Sequence, residues 1–472
     1  MPKIKARFHF LCVAGVCASA LCAMDAGAQD APTLPQLIER GRQLFVTTWT
    51  SAHGGGTHNL APANGIGIIA TPTVSSCAGC HNHPRTGGAG EVVTNVIVTG
   101  AGPGKSRRTS VRGAIVNASM TTGMFGAGYV EMLARQITAD LQALRDAIPA
   151  GGKTRLVSKG VSFGILSRTP VGAWDTSQVE GLPETSTFSN DAKQPPSLIV
   201  QPFHQVGAVT SLREFTINAL DFHHGIQAVE RFDSNTDVDH DGIVNEINRA
   251  DVTALVIFQA TLPVPGRVIP RDPTVENEVR AGEQLFQQIG CAHCHVPQLV
   301  LDKNGWVFVE PGPFDGDVST ATLPERVLQI DLRDDALPRP RLALQQGVMR
   351  VPLYSDFKLH DITSGRDDPN RDALNMHTEM GSEKFFRGTT RFLTRRLWGV
   401  ASAPRYFHNG RYTTLRAAVL AHAGDARDGA RKFKALSKAE QDAVITFLES
   451  LRILPADTDA VVIDENGKPR PW

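Results

Sequence analysis

The chain has 472 residues, enough for two or three domains with ordinary cores. Its 48 basic residues balance 48 acidic ones, which argues against general polyanion or nucleic-acid binding but leaves room for a local patch toward a protein partner. Glycine (43) and proline (29) are abundant, and this predicts long loops between compact elements.

Residues 1–28 read as a secretory signal peptide. Lys3, Lys5 and Arg7 form the charged start, Phe8 to Ala23 the apolar run, and Ala26-Gly27-Ala28 a small-residue cleavage site. A retained anchor is the competing reading, but the apolar run is short for spanning and a polar, proline-rich segment follows. The expectation is therefore export to the periplasm without a stable membrane anchor. Cys12, Cys17 and Cys22 leave with the signal. The four remaining cysteines all sit in two C-x-x-C-H motifs, and none is left over for a disulfide.

The first motif, "SSCAGCHNH", holds Cys77, Cys80 and His81; the second, "GCAHCHVPQ", holds Cys291, Cys294 and His295. C-x-x-C-H is the attachment signature of c-type haem: two thioethers fix the porphyrin edge, and the next histidine presents its imidazole to the iron. A four-cysteine zinc cage is the main rival, but it leaves the following histidine unexplained twice. A thioredoxin-like pair lacks the surrounding βαβ pattern. Two covalently bound haem c groups are expected. His293, in the bridge of the second motif, is expected to face solvent or an interface.

Each motif follows a G-x-Q-L-F segment, "RGRQLF" at 40–45 and "AGEQLF" at 281–286. In the second copy Val275, Val279, Gly282, Phe286 and Ile289 share one helical face, with Asp272 and Pro273 as start signals. The glycine suits close packing against another helix. This repetition predicts duplicated cytochrome c-like domains. In the first copy a glycine-rich insertion, "SAHGGGTHNLAPANGIG", separates the helix from the motif and is expected to wrap the first haem. His53, His58, His83, Met120 and Met124 lie close enough in sequence to be candidates for the sixth position of that iron.

Between the motifs, "DSNTDVDHDGIVNEIN" alternates oxygen side chains: Asp233, Asn235, Asp237, Asp239, Asp241, then Gly242. D-x-D-x-D-G opens many calcium loops, although the twelfth position from Asp237 is Asn248 rather than Glu. Asp237, Asp239, Asp241 and Glu246 (or Asn245) are the candidate calcium ligands, against the alternative of a solvated acidic turn. A helix over "RADVTALVIFQA" and a proline-rich connector at 262–273 follow. Near the C-terminus, Ser437 and Glu440 form a capping box before Val444, Phe447, Leu448 and Leu451, predicting a helix that packs on the "GEQLF" helix.

The stretch from "VPLYSDFKLHDI" to "RYFHNGRYTTLRAAVLAHAGDA" resembles the di-haem oxidoreductase family of peroxidases, also called thiol oxidoreductases. It is more distantly similar to bacterial di-haem cytochrome c peroxidases, the di-haem enzymes that mature methylamine dehydrogenase, and di-haem rubber oxygenases. The resemblance takes in both haem motifs, the calcium-like segment and the C-terminal third. Its most specific piece runs from Tyr406 to His422. The chain departs from the family in carrying Thr394-Arg395-Arg396 before Leu397-Trp398-Gly399, where Thr-Pro-Pro is usual, and in having Asn409 where Asp is common.

The resemblance aligns His422 with a methionine that ligates the C-terminal haem iron, and a helix capped by Thr413 or Thr414 would carry Leu415, Ala418, Val419 and His422 on one face. A histidine there would lower that haem's potential relative to methionine. The resemblance also puts Glu131, in "GMFGAGYVEML", at the position of a distal glutamate that takes and returns a proton during peroxide cleavage; an ordinary helix glutamate is the alternative. His408 is expected to hydrogen-bond a propionate or an interface, and His360, His223 and His224 to be structural.

The expected fold is mainly α, with two cytochrome c-like haem domains, long loops and a few short β-hairpins. The N-terminal domain spans 29–215, a connecting segment with the calcium-like loop 216–270, the C-terminal domain 271–455, and a tail 456–472. The expected function is a periplasmic di-haem oxidoreductase of peroxidase type. Peroxide or dioxygen would react at the N-terminal haem, and electrons would arrive through the C-terminal haem from a donor protein or small redox carrier. A purely electron-carrying cytochrome and an oxygenase acting on an organic substrate are the alternatives.

Overall fold

The computed structural model describes residues 31–56, 58–60, 67–70, 75–99, 115–189, 194–315, 327–378 and 382–472. The signal-peptide segment 1–28 and part of the glycine-rich insertion, residues 57 and 61–66, lie outside them.

Both G-x-Q-L-F segments are helices, Leu34–Val46 and Pro273–Gln288. Asp272 caps the second by accepting from the Thr274 N–H, and Pro273 occupies the first turn, where no donor is needed. A second helix crosses each of them at its glycine. A Cβ on Gly282 would lie 1.9 Å from the Ala443 carbonyl oxygen, and one on Gly41 would lie 2.0 Å from that of Ala254. No side chain fits at either crossing.

The partner at Gly282 is the helix Lys438–Ser450, which starts with the Ser437–Glu440 capping box. The partner at Gly41 is the helix Arg249–Ala260, buried along nearly its whole length. That helix falls within the segment 216–270 expected to connect the domains, yet it packs as the second helix of the first unit. The aromatic geometry repeats as well. Phe45 and Phe258 lie 5.2 Å apart, and Phe286 and Phe447 lie 5.3 Å apart. Phe45 sits 6.1 Å from His81, and Phe286 sits 6.3 Å from His295, with interplanar angles of 54° and 51°.

The fold is helix-leaning but mixed, at 34% helix and 16% strand. This corrects the expectation of a mainly α chain with a few hairpins: among the described residues the strands form six small sheets of two to four strands. Buried main chain between the helices must pair its N–H and C=O groups, and short strands do this. The largest sheet joins His58–Leu60, Gly67–Ala70, Val93–Thr99 and Ile115–Met120 in antiparallel order. Through its first two strands the insertion contributes to this sheet. The tail returns through Val462–Ile463 to pair with Gly266–Val268 in the connector, tying the chain end to the seam between the units.

The apolar core forms two main clusters, the larger of which runs across both halves of the chain and takes in Leu299, Phe308, Met349 and Trp398. One gathers Phe45, Phe258 and the helix Ala127–Asp146, with Cys77 at its edge. The other gathers Phe286, Phe433, Phe447 and Tyr354, with Cys291 at its edge. The units meet where Trp398 covers Gly126, whose φ of +75° and lack of a side chain admit the indole, and where Met120 packs on Gly410.

Candidate haem centres

In the second motif the chain turns immediately after Gly290, which takes φ +91° and lets the short helix Cys291–His293 begin. Cys291, Cys294 and His295 line a cavity shared with His422, Phe286, Leu415 and Ala418. The His295 Nδ1 lies 3.2 Å from the Tyr354 carbonyl, and the His422 Nδ1 lies 2.8 Å from the Ala418 carbonyl. A carbonyl only accepts, so each Nδ1 carries the proton and each Nε2 keeps its lone pair. Thr414 caps the helix Leu415–Leu420 through the Ala417 N–H, and His422 sits two residues past its end. Burial lowers the pKa of His422; burial and the nearby His422 push that of His295 down to about 4. Both rings are neutral at physiological pH, the form in which imidazole ligates a metal. His293 is exposed.

The first motif is a short helix, Cys77–Cys80, capped by Ser76. His81 Nδ1 lies 3.2 Å from the Gly88 carbonyl, the same arrangement as at His295, and burial pushes its pKa down to about 4. The surroundings differ. His53 bonds Thr50 at 3.0 Å in an exposed turn, and His83 is exposed. A histidine pair from far along the chain approaches instead. A π-helical turn, Leu220–His224, brings His224 Nε2 to 3.5 Å from Cys77 Sγ. Its neighbour His223 lies within electrostatic reach of His81 and His204; burial, then His224, His81 and His204, pushes its pKa down to about 4. The sequence alone points to a structural role for both histidines. The one available signal was the adjacent pair itself, on a short helical stretch.

The two cysteine pairs sit in different clusters, and all four are free thiols, so no four-cysteine cage forms among the described residues. The residues present fit two covalently held haems. Beyond the cysteines and histidines, the cavity wall carries buried polar atoms without partners: His204 Nδ1, Arg395 Nη1 and both ring nitrogens of His408. His360 Nε2 bonds Asp356 at 2.7 Å beside Cys294.

Glu131 is 1% exposed, on the helix Ala127–Asp146. Both its oxygens are engaged: one pairs with Arg135, and the other accepts from the Leu212 N–H at 2.8 Å. Burial raises its pKa, Arg135 opposes the rise, and Asp315 adds to it. Its neighbours belong to a buried charge cluster rather than to either haem motif.

Carboxylate oxygens of Asp237, Asp239 and Asp241 all lie within 4.8 Å of one another. Asp237 accepts from the N–H groups of Asp241 and Gly242 at 3.2 and 3.1 Å, which curls the loop around its own carboxylates. Glu246 Oε2 accepts from the Gln227 N–H at 2.7 Å, while its Oε1 is buried without a partner. Asn248, at the twelfth position, instead caps the helix Arg249–Ala260.

Two half-buried C-x-x-C-H segments, each with an imidazole oriented by a main-chain carbonyl, have the donor set that a covalently held haem requires. Residues 339–451 match the family model described as "Di-haem oxidoreductase, putative peroxidase". The match places a di-haem oxidoreductase domain in the C-terminal region, and that family's description implies two haems. The search of curated proteins finds no match. A solved structure of hydrazine synthase from Kuenenia stuttgartiensis aligns with 96% of this chain and 100% of that chain, at 15% identity and a TM-score of 0.35. A likeness that weak carries no argument.

Proposed function

We propose that the chain is an exported, periplasmic di-haem enzyme of peroxidase type, built from two cytochrome c-like units. Cys77, Cys80 and His81 would hold one haem, and Cys291, Cys294, His295 and His422 the other. When bound, the haems supply reversible iron oxidation and, at the first site, a position for peroxide or dioxygen. The observation that carries this reading is the unequal pairing of the two proximal histidines. His295 shares a cavity with His422, and both rings are locked by carbonyls with Nε2 available, which suits a six-coordinate, low-reorganisation relay. His81 has no histidine placed as His422 is; the adjacent pair His223 and His224 approaches its motif instead, His224 Nε2 lying 3.5 Å from Cys77 Sγ.

The chain's own residues have definable tasks here. Tyr354 and Ala418 hold the two C-terminal imidazoles in one tautomer. The apolar residues around them exclude water. Glu131, if it moves protons for peroxide cleavage, must first release Arg135. The Asp237–Asp239–Asp241 loop with Glu246 would bind calcium, and Glu246 abuts Gly54 on the approach to the first motif. Electrons would come from a donor protein or small redox carrier. No helix among the described residues is long and apolar enough to cross a membrane.

Electron paramagnetic resonance of the ferric holoprotein tests the assignment. His422→Ala is expected to convert one low-spin haem to high spin while leaving the other signal in place; an unchanged spectrum would sink the relay assignment. The second reading, a purely electron-carrying cytochrome, is favoured by His223 standing within reach of His81. It predicts two low-spin signals that persist when peroxide is added.

A further inference from the structure

Between the two units the cavity wall holds two guanidinium groups that nothing in the described fold neutralises. Arg395 and Arg396 follow the strand Arg391–Leu393 and line the same cavity as His295 and His422. Arg395 Nη1 is buried without a hydrogen-bond partner, and Arg396 reaches the Pro202 carbonyl at a long 3.5 Å. Among the described residues neither forms an ion pair. The acids on that wall are engaged elsewhere: Asp425 accepts from the Asp361 N–H at 3.1 Å, and Asp428 pairs with Arg431 and Lys432 at 2.7 Å each.

Unpaired buried charge opposes folding, and a guanidinium does not escape by losing its proton. Burial, joined in Arg396 by the adjacent Arg395, lowers the pKa of both to about 10, yet both stay charged at neutral pH. His408 joins them on the wall. It is 7% exposed and stacked on Phe392 at 3.6 Å; neither ring nitrogen makes a hydrogen bond, although Asp372 Oδ1 lies 3.8 Å from Nε2. The cavity is therefore incomplete without an anion.

We propose that Arg395 and Arg396, with His408 beside them, form a carboxylate clamp for the propionate groups of the haem held at Cys291, Cys294 and His295. The clamp rests on the two-haem reading. Arg395, Arg396 and His408 line the same cavity as Cys291, Cys294 and His295, so the clamp and the proximal ligand belong to one site. A haem's charged side groups are its two carboxylates, and planar guanidinium groups match carboxylates with paired hydrogen bonds. The clamp's charge has a consequence: two cations beside the porphyrin favour the ferrous state and oppose the lowering of potential that His422 brings.

The test uses the holoprotein and its Arg395→Leu/Arg396→Leu variant, with Arg395→Lys/Arg396→Lys as a charge-retaining control that covers a misfolded leucine pair. Haem content comes from the pyridine haemochrome, the midpoint potential of the C-terminal haem from spectroelectrochemistry, and propionate bonding from the resonance Raman bending band. Two haems retained, a more negative potential in the leucine variant, partial recovery in the lysine variant and a shifted propionate band are expected. Two haems with an unmoved potential and an unmoved band overturn the clamp. An acetate-induced spectral change in the wild type that the leucine variant loses, at unchanged potential, assigns the site to an external carboxylate and also overturns it. Fewer than two haems in the wild type would instead overturn the two-haem reading.

Discussion

Three histidines, His81, His295 and His422, share one device. Each donates Nδ1–H to a main-chain carbonyl and so keeps a neutral ring with Nε2 available, whichever residue supplies the carbonyl. Glu131 differs, because its two oxygens are already committed to Arg135 and the Leu212 N–H. If it nonetheless transfers protons, Glu131→Gln should lower peroxide turnover by about 10²–10⁴-fold with oxygen binding retained. Unchanged turnover, measured by donor oxidation, would leave it a structural residue. Glu246 makes a pH-dependent prediction. Burial, and then the charges of Asp239, Asp241 and Asp237, raise its pKa from 4.5 to about 8, against the Gln227 N–H, which lowers it. The folded state therefore holds a proton that the unfolded chain has lost, and without a cation stability should fall as pH rises from the usual glutamate range through about 8. Calcium binding releases that proton, so calcium should raise the thermal midpoint more above pH 8 than near pH 5. Equal effects at both pH values would remove Glu246 from the calcium shell.

At the scale of elements, the glycine crossings carry the architecture. The Gly282 helix and the helix Lys438–Ser450 meet backbone to backbone, which brings Phe286 and Phe447 together under His295. Gly41 and the helix Arg249–Ala260 do the same under His81. Gly282→Ala forces the helices apart and should destabilise the fold by about 1–3 kcal/mol, the usual range for overpacking. Chemical denaturation measures this, and a neutral result would show that the crossing relaxes freely. The first crossing was hidden from the sequence because its partner helix lies some two hundred residues downstream, past the calcium-like loop. An apolar helix of that kind shows no narrow stripe, and periodicity does not say what it packs against. The π-helical turn Leu220–His224 was equally illegible, since a single extra residue per turn leaves no compositional mark.

Across the whole molecule, a buried charge cluster ties the units together. Arg213, fully buried, pairs with Glu230 and with Glu310 from the second half of the chain, and donates to Thr253 Oγ1 at 3.0 Å. Burial pushes the Glu310 pKa up to about 8, with Arg213 holding it down and Asp315 and Glu131 adding to the rise. Removing the arginine leaves two buried carboxylates without their cation. Arg213→Leu should therefore cost about 3–5 kcal/mol in unfolding free energy, and more above pH 8 than below it, because without Arg213 the Glu310 pKa rises further and the folded variant holds a proton that the wild type releases. A loss under about 1 kcal/mol would mean that the cluster is replaceable by apolar packing.

Local rules sufficed for the two C-x-x-C-H motifs, the start of the Asp272-capped helix, the Ser437–Glu440 capping box and the alternating aspartates. Each depends on neighbours within a few residues, where covalent geometry and hydrogen-bond reach leave few options. The opposite faces of the haem sites depended on distant segments. His422 is expected from resemblance, whereas its sharing of a cavity with His295 and the approach of His223 and His224 to Cys77 and His81 follow from packing between segments more than a hundred residues apart. Burial and the sum of nearby charges belong to the assembled fold. Only the tertiary structure decides which polar groups are satisfied by the protein and which are left for a ligand.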